Sequence, residues 1–303
     1  MQPIPFKEVR MKNIMLTILL FGLLCSTAFA KPAVVATLPW VASIAEAIGK
    51  DKLEIVTLVK PNQDPHMIEA KPSMILATRK ADILMYNGLD LEIGYLPVLI
   101  ESSRNPKIQP GRLGNLDCSQ FVSVIEKPSA VDRSLGDVHP LGNPHYHLSP
   151  KNIGVVADGM AKRLSELDPA NASFYTGNAA TFRNQLQQKI REWQTMPLSG
   201  KRFIAYHRFF EYLSNEFGFS LIGYIEAKPG IPPSAGHLQQ LIDLSRQTKP
   251  HAILTTAYHG RKQTDALSSR TGLTVIMVPH EVGSTAQAKD WFSLMDAVFA
   301  SLR

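Results

Sequence analysis

Four histidines stand at positions from which imidazole side chains can bind one metal ion together. His66 lies in a DPH tripeptide, His145 lies in an NPHYH pentapeptide, and His207 and His280 each come just after a β-rich segment. Neutral imidazole is a preferred ligand of zinc and other late first-row metals. Three or four imidazoles, with or without a carboxylate, would form a tetrahedral site. The histidine positions therefore predict a metal site rich in nitrogen ligands.

A proline directly precedes both His66 and His145, and this local pattern favours ligand binding. Proline fixes its own backbone dihedral before His66 and before His145. A stiff loop loses less entropy when it holds a ligand in place. Neither a His-Glu-x-x-His motif nor a Cys-x-x-Cys pair occurs in the chain. The prediction therefore depends on how the fold brings distant histidines together.

The elements that must position these residues alternate between strand and helix. The strands of the first half are predicted at residues 33–37, 54–59, 82–86 and 121–125, and those of the second half at 202–206, 220–224, 252–256 and 273–278. Such alternation predicts parallel sheets covered by helices. In open α/β sheets, ligands bind beyond the carboxyl ends of the strands. We expect two α/β lobes whose strand-end loops face one cleft.

One long helix should join the two lobes. The amphipathic stretch 151–196 is interrupted only at Asp168-Pro169, where Asp168 is a suitable N-cap and proline fits the first turn. The chain of 303 residues is long enough for about two domains. We expect an N-terminal lobe at 31–167, a linking helix at 168–196 and a C-terminal lobe at 197–303.

The first 30 residues have the pattern of a cleaved secretory signal peptide. Basic residues precede an apolar run at 14–24, and Ala28-Phe29-Ala30 forms an A-x-A cleavage site. The run is too short to cross a bilayer, which needs about 20 residues. Leu24 precedes Cys25, where a lipoprotein signal would need a small residue, so we expect a periplasmic protein without a lipid anchor.

The charge and composition of the chain exclude several classes of partner. Removing the signal peptide removes three basic residues and one acidic residue, so the net charge falls from +6 to +4. No basic cluster is interleaved with aromatic residues, so nucleic acid is not an expected partner. No other run of about 18 apolar residues predicts a membrane span in the mature chain. Cys118 is its only thiol, so no intramolecular disulfide can form, and we expect a monomer.

Beyond the histidines themselves, four spaced blocks resemble the metal-binding solute receptors of bacterial ABC importers, in the zinc and manganese cluster. The first contains DPH at 64–66, KPS at 71–73, ADILMYNG at 81–88 and LE at 91–92. The second, NPHYHLSPKN at 143–152, is similar to the family pattern DPHxWxxPxN. The third is LSELDPANA at 164–172, and the fourth is HRFFEYL at 207–213. The match covers nearly the whole mature chain, and the four blocks stand in the family's order.

This resemblance implies a fold, a site and a function. The fold is two (β/α) lobes bridged by a long rigid helix, with the metal in the interlobe cleft. The ligands are His66 and His145 from the first lobe and His207 from the second. In this family, a histidine at the position of His207 is found in zinc receptors and a glutamate there in manganese receptors. The function is a periplasmic receptor that delivers Zn²⁺ to a membrane permease powered by a cytoplasmic ATPase, without catalysis.

The sequence departs from the family pattern in three places. Asn143 and His147 replace the usual Asp and Trp, which leaves His147 as an alternative to His145. The fourth ligand, usually a carboxylate, is His280, Glu281 or water, and alignment backwards from the following glycine favours His280. The segment 126–142 is short and contains His139; a solvated loop is favoured there over transient metal capture.

Two other functions remain as alternatives. The chain can be a receptor of the same family for manganese or another divalent metal. A zinc-dependent hydrolase is the alternative from another class, and it would need an open coordination position and a general base. Glu281 is the nearest candidate base in the sequence.

Overall fold

Two parallel four-stranded sheets form the framework of the protein in the computed structural model, which describes residues 30–128, 139–228 and 230–303. The strands of the first sheet are β1 (Ala33–Ala36), β2 (Glu54–Thr57), β3 (Ile83–Tyr86) and β4 (Asn115–Asp117). Those of the second sheet are β5 (Arg202–Ala205), β6 (Ser220–Tyr224), β7 (Ala252–Thr255) and β8 (Val275–Met277). The spatial order is β2-β1-β3-β4 in the first sheet and β6-β5-β7-β8 in the second.

Helices connect the strands and cover the sheets. They are α1 (Pro39–Gly49), α2 (Pro72–Lys80), α3 (Leu96–Ser103), α4 (Pro150–Leu167), α5 (Ala172–Gln194), α6 (Glu211–Phe217), α7 (Ala235–Thr248), α8 (Lys262–Thr271) and α9 (Trp291–Ser301). The architecture of two parallel-sheet α/β lobes joined by a long helix confirms the fold class predicted from the strand and helix alternation. The residue boundaries drawn between the lobes stay a prediction.

The long helix α5 contacts both halves of the chain. Near its start, the Asn178 side-chain amide donates to the carbonyl oxygen of Ile48 at the end of α1, at 2.8 Å. Near its end, the Trp193 indole N–H donates to the Asp296 carboxylate on α9, at 2.8 Å, and the ring stacks on Phe299. Trp193 is fully buried. These contacts anchor both lobes to one rigid element.

The long helix begins later than its sequence suggested. Asp168-Pro169 opens a single 3₁₀ turn, Pro169–Asn171, and α5 starts at Ala172. The Asp168 carboxylate accepts hydrogen bonds from the Tyr175 hydroxyl and the Asn171 amide, both at 2.7 Å, and caps no backbone N–H of the helix. The expected N-cap role of Asp168 was therefore wrong, because Oδ2 accepts from two side chains and no helix N–H donates to the carboxylate.

The fourth strand of the first sheet is also displaced from its predicted position. Residues 121–125 form no strand; β4 is the short segment at 115–117, where Asn115 is in register with Leu84. The N–H of Ser123 donates to the Asn152 side chain, and that of Ile125 to the Tyr212 hydroxyl. This segment therefore bonds to helices of both lobes instead of extending the sheet.

Residues 32–303 form one compact unit. Among the described residues, no helix is both long and apolar enough to cross a bilayer. The predicted signal peptide lies outside the described residues except for Ala30.

Candidate metal centre

Five imidazole rings lie near one another where the strand-end loops of the two sheets face each other, and the fifth is His259, whose ring centroid is 5.5 Å from that of His207. The Nε2 atoms of His66 and His139 lie 3.1 Å apart, and those of His145 and His207 lie 3.2 Å apart. The ring centroid of His66 is 5.4 Å from that of His145 and 5.7 Å from that of His207. Two nitrogen ligands of one tetrahedral zinc ion lie about 3.3 Å apart, given bonds of about 2.0–2.1 Å. We refer to His66, His139, His145 and His207 as the histidine cluster.

A tight turn beside β2 positions His66. Residues Pro65–Met67 form a 3₁₀ turn capped by Asp64, whose Oδ1 accepts the backbone N–H of His66 at 3.0 Å. The same oxygen lies 2.6 Å from Nδ1 of the His66 ring. A carboxylate at Nδ1 fixes the ring and leaves Nε2 available to a metal ion.

The second sheet positions His207 in the same way. His207 comes just after β5, and its Nδ1 lies 2.6 Å from Oε2 of Glu226, just after β6. The backbone N–H of Glu226 donates to the carbonyl oxygen of Tyr206, which continues the ladder between the two parallel strands. Strand register therefore brings the carboxylate to the imidazole. The sequence did not single out Glu226. Its position just after β6, the strand that pairs with β5, could have indicated that it lies near His207.

His145 is the most deeply buried member of the histidine cluster. The residue is 2% exposed, and its ring lies against Phe209, with centroids 4.6 Å apart. The Asn143 side-chain oxygen accepts the backbone N–H of His145 at 2.9 Å, which holds the loop in place. Burial, and then the neighbouring imidazoles, keep the pKa of His145 well below its usual range. The ring is therefore neutral at physiological pH, as metal binding requires.

His139 belongs to the histidine cluster, while residues 129–138 of the loop that the sequence favoured as solvated lie outside the described residues. Its side chain is partly buried, and one ligand atom each from His66, His139 and His145 lies within 4.8 Å of the others. Burial, with a contribution from His66 and His207, lowers the pKa of His139 to about 3.

His280, expected as the fourth ligand, lies in a different environment. Its Nε2 is 3.1 Å from the carbonyl oxygen of Pro61, and its ring packs 4.7 Å from that of Tyr258. Its own carbonyl oxygen lies 2.9 Å from Nε2 of His147, whose ring stacks on Trp40. Among the described residues, the ring contacts that join the histidine cluster include neither His280 nor His147. Both rings instead form contacts between the two lobes.

Glu281 also contacts the first lobe. Its Oε1 accepts the backbone N–H of Val282 at 2.7 Å, and the backbone N–H of Trp40, in the first turn of α1, also bonds to the carboxyl group. Burial raises the pKa of Glu281 to about 8. The turn that contains His280 and Glu281 therefore attaches the second sheet to α1 and to the loop at Pro61.

Asn143 occupies a position where the family pattern has Asp, and its contacts explain the difference. Its side-chain amide donates to Oε2 of Glu126 at 2.9 Å and to the carbonyl oxygen of Arg208 at 3.1 Å. The same nitrogen lies 3.5 Å from Oε2 of the buried Glu211. An aspartate cannot donate to these acceptors and would face two carboxyl groups. These acceptors and carboxyl groups therefore favour asparagine over aspartate at position 143.

A cavity of about 360 Å³ leads to the histidine cluster. His139, His145 and His207 form part of its wall. Glu126 and Arg208 also line it and form an ion pair at 2.7 Å that joins the two lobes. The cavity is large enough for a hydrated cation to approach the Nε2 atoms.

Comparisons with known proteins agree with this architecture. Residues 34–303 match the profile of the family described as "ZnuA: Zinc-uptake complex component A periplasmic". The chain is 29% identical over 245 residues to the manganese ABC transporter substrate-binding lipoprotein PsaA of Streptococcus pneumoniae, with 76% of each chain covered. It is 25% identical over 267 residues to the iron ABC transporter substrate-binding lipoprotein MtsA of Streptococcus pyogenes serotype M1, covering 83% of this chain and 82% of that one. A crystal structure of ZnuA superposes with a TM-score of 0.74 at 26% identity, covering 89% of this chain and 97% of the other.

Proposed function

The chain belongs to the family of ZnuA, the periplasmic component A of zinc-uptake complexes, and we propose that it binds Zn²⁺ with the histidine cluster and delivers the ion to an ABC transporter permease. The observation that carries this proposal is the convergence of four imidazoles, with two Nε2 pairs separated by 3.1 and 3.2 Å. Members of this family are extracytoplasmic metal-binding receptors of ABC importers. The metal is the cargo of such a receptor.

The donor atoms favour zinc among the metals that the relatives' names mention. All four donors of the histidine cluster are imidazole nitrogens. Manganese prefers carboxylate and other oxygen ligands, whereas imidazole suits zinc and copper. Asp64 and Glu226 face Nδ1 atoms and leave the Nε2 atoms as the ligands. A receptor for manganese or iron is the second candidate, since the relatives PsaA and MtsA carry those metals in their names.

The surroundings of the histidine cluster support a receptor over a hydrolase. A catalytic zinc site keeps an open position and places a general base beside it. Glu281, the candidate base from sequence, instead bonds to backbone N–H groups of Val282 and Trp40. Four imidazoles also leave no coordination position open on a tetrahedral ion. We therefore assign the chain no enzymatic reaction.

The export route and partners follow from the same proposal. A cleaved leader without a small residue before Cys25 gives a free periplasmic receptor, in contrast to the relatives named as lipoproteins. Its partner is a membrane permease driven by a cytoplasmic ATPase. We propose that the receptor acts as a monomer, since both lobes of one chain supply the ligands.

Zinc titration of the mature protein tests this function. We expect wild type to bind one Zn²⁺ and to retain it in competition with Mn²⁺. His66→Ala, His145→Ala and His207→Ala should each weaken zinc binding at least tenfold. His251→Ala is the matched control, because His251 is exposed and its ring accepts the backbone N–H of Arg202. Wild-type affinity in all three cluster variants would overturn the site.

A further inference from the structure

We propose that Glu226 is a positioning residue for metal capture, which holds His207 in the tautomer that presents Nε2 to the ion. This inference rests on the proposed function, because it assigns a role to a residue behind one of the metal ligands. Glu226 Oε2 lies 2.6 Å from His207 Nδ1. Both side chains are enclosed, with 7% of the His207 side chain and 11% of the Glu226 side chain exposed.

The carboxylate of Glu226 is itself held at both oxygens. While Oε2 faces the imidazole, Oε1 accepts the backbone N–H of Gly230 at 2.9 Å. The backbone of Lys228 forms an isolated antiparallel bridge with that of Ile231, and Gly230 has φ +75°. Glycine adopts this left-handed conformation without the strain that a Cβ would add. The N–H of Gly230 thus orients Glu226, and Glu226 orients His207.

The position of the proton on an imidazole ring decides which of its two nitrogens can bind a metal ion. When Nδ1 carries the proton and donates it to a carboxylate, Nε2 keeps its lone pair for the metal, and the ring becomes a more basic ligand. Asp64 stands in the same relation to His66, also at 2.6 Å. Four neutral imidazoles bring no charge to a divalent cation. One carboxylate from each lobe, behind a metal ligand, balances the charge of the ion.

Glu226 allows a cleaner test than Asp64. Asp64 also caps the turn that contains His66, so its removal changes the local backbone. Glu226 lies 19 residues from its histidine in the chain and reaches it through side-chain atoms. Glu226→Ala removes both the acceptor and the charge. Glu226→Gln removes the charge but keeps an acceptor of similar length.

The test combines the tautomer of His207 with zinc affinity. Two-bond ¹⁵N–¹H spectra of the metal-free protein report which ring nitrogen carries the proton, and the His207 signals are identified by their loss in His207→Ala. We expect the Nδ1–H tautomer in wild type and its loss in Glu226→Ala. Zinc affinity should fall about 10–100-fold in Glu226→Ala and less in Glu226→Gln, as is usual for partners of metal-binding histidines. Glu69→Gln, at an exposed carboxylate, is the charge-matched control.

Distinct results separate this inference from the function on which it rests. If metal-free wild type lacks the Nδ1–H tautomer at His207, or if Glu226→Ala binds zinc within about twofold of wild type, the role of Glu226 is overturned. Failure of the wild-type protein to bind zinc would overturn the proposed function instead, and the tautomer would still be measured in metal-free protein. Urea unfolding of each variant verifies that affinity is compared between folded proteins.

Discussion

The Nε2 atom of His139 lies 3.1 Å from the Nε2 atom of His66. His139 comes just before the NPHYHLSPKN block at 143–152, and His66 lies in the DPH turn at 64–66. We propose that His139 takes the fourth ligand position, which the family pattern assigns to the turn containing His280. The same turn here contacts Pro61 and α1.

His139→Ala should therefore weaken zinc binding more than His280→Ala does. We expect a loss of at least tenfold for His139→Ala, equivalent to about 1.4 kcal/mol of binding free energy, because it removes a ligand atom. His280→Ala should stay within about threefold of wild type. Competition titration with a chelating dye measures both. A larger loss of zinc affinity in His280→Ala than in His139→Ala would show that His280 is the fourth ligand.

Asn143→Asp should destabilise the metal-free protein, although aspartate is the family's usual residue. The change removes donors that face Glu126 and the carbonyl oxygen of Arg208, and it places a carboxylate beside acidic neighbours. Unpaired buried acceptors cost about 1–3 kcal/mol. Urea unfolding at neutral pH measures the loss in the free energy of unfolding.

A double variant shows whether Glu126 causes that loss. Glu126→Gln supplies an amide that can donate to the carboxylate introduced at position 143 and removes one of its negative neighbours. We expect the double variant Glu126→Gln with Asn143→Asp to recover part of the stability lost by the single Asn143 change. Additive losses would show that the two side chains do not interact.

Glu281→Gln should stabilise the protein increasingly as the pH rises. Burial raises the pKa of Glu281 to about 8 in the folded protein, whereas an unfolded glutamate has a pKa of about 4.3. Between these values the folded state holds a proton that the unfolded state has lost. The stability that this proton contributes is complete below about pH 4.3 and declines as the pH rises through 8.

Glutamine is neutral at every pH, so the variant escapes this decline. We expect the difference in unfolding free energy between Glu281→Gln and wild type to move in favour of the variant from pH 5 to pH 9. Glu69→Gln, at an exposed carboxylate, is the charge-matched control. A difference that stays constant across this range would contradict a buried proton on Glu281.

The fold was largely predictable because strand and helix periodicity is a local property. The errors in the predicted elements arose where side chains, and not backbone groups, form the hydrogen bonds. Asp168 bonds to Tyr175 instead of capping α5, and the N–H groups of Ser123 and Ile125 bond to side chains of distant helices. No local pattern reports such partners.

The site was predictable in part for a related reason. His66, His145 and His207 lie in motifs or at strand ends, and the structure brings their rings together. His139 was weighed but a solvated loop was favoured there, and Glu226 was missed, because both are placed by contacts with residues that are far away in the chain.

The most direct test of the central claim is X-ray absorption spectroscopy of the zinc-loaded mature protein. The histidine cluster predicts four nitrogen ligands at about 2.0–2.1 Å, with outer-shell scattering from imidazole carbons. The same spectrum should be retained in His280→Ala. A sulfur ligand at about 2.3 Å, or a shell without imidazole scattering, would contradict the claim that these four histidines bind the ion.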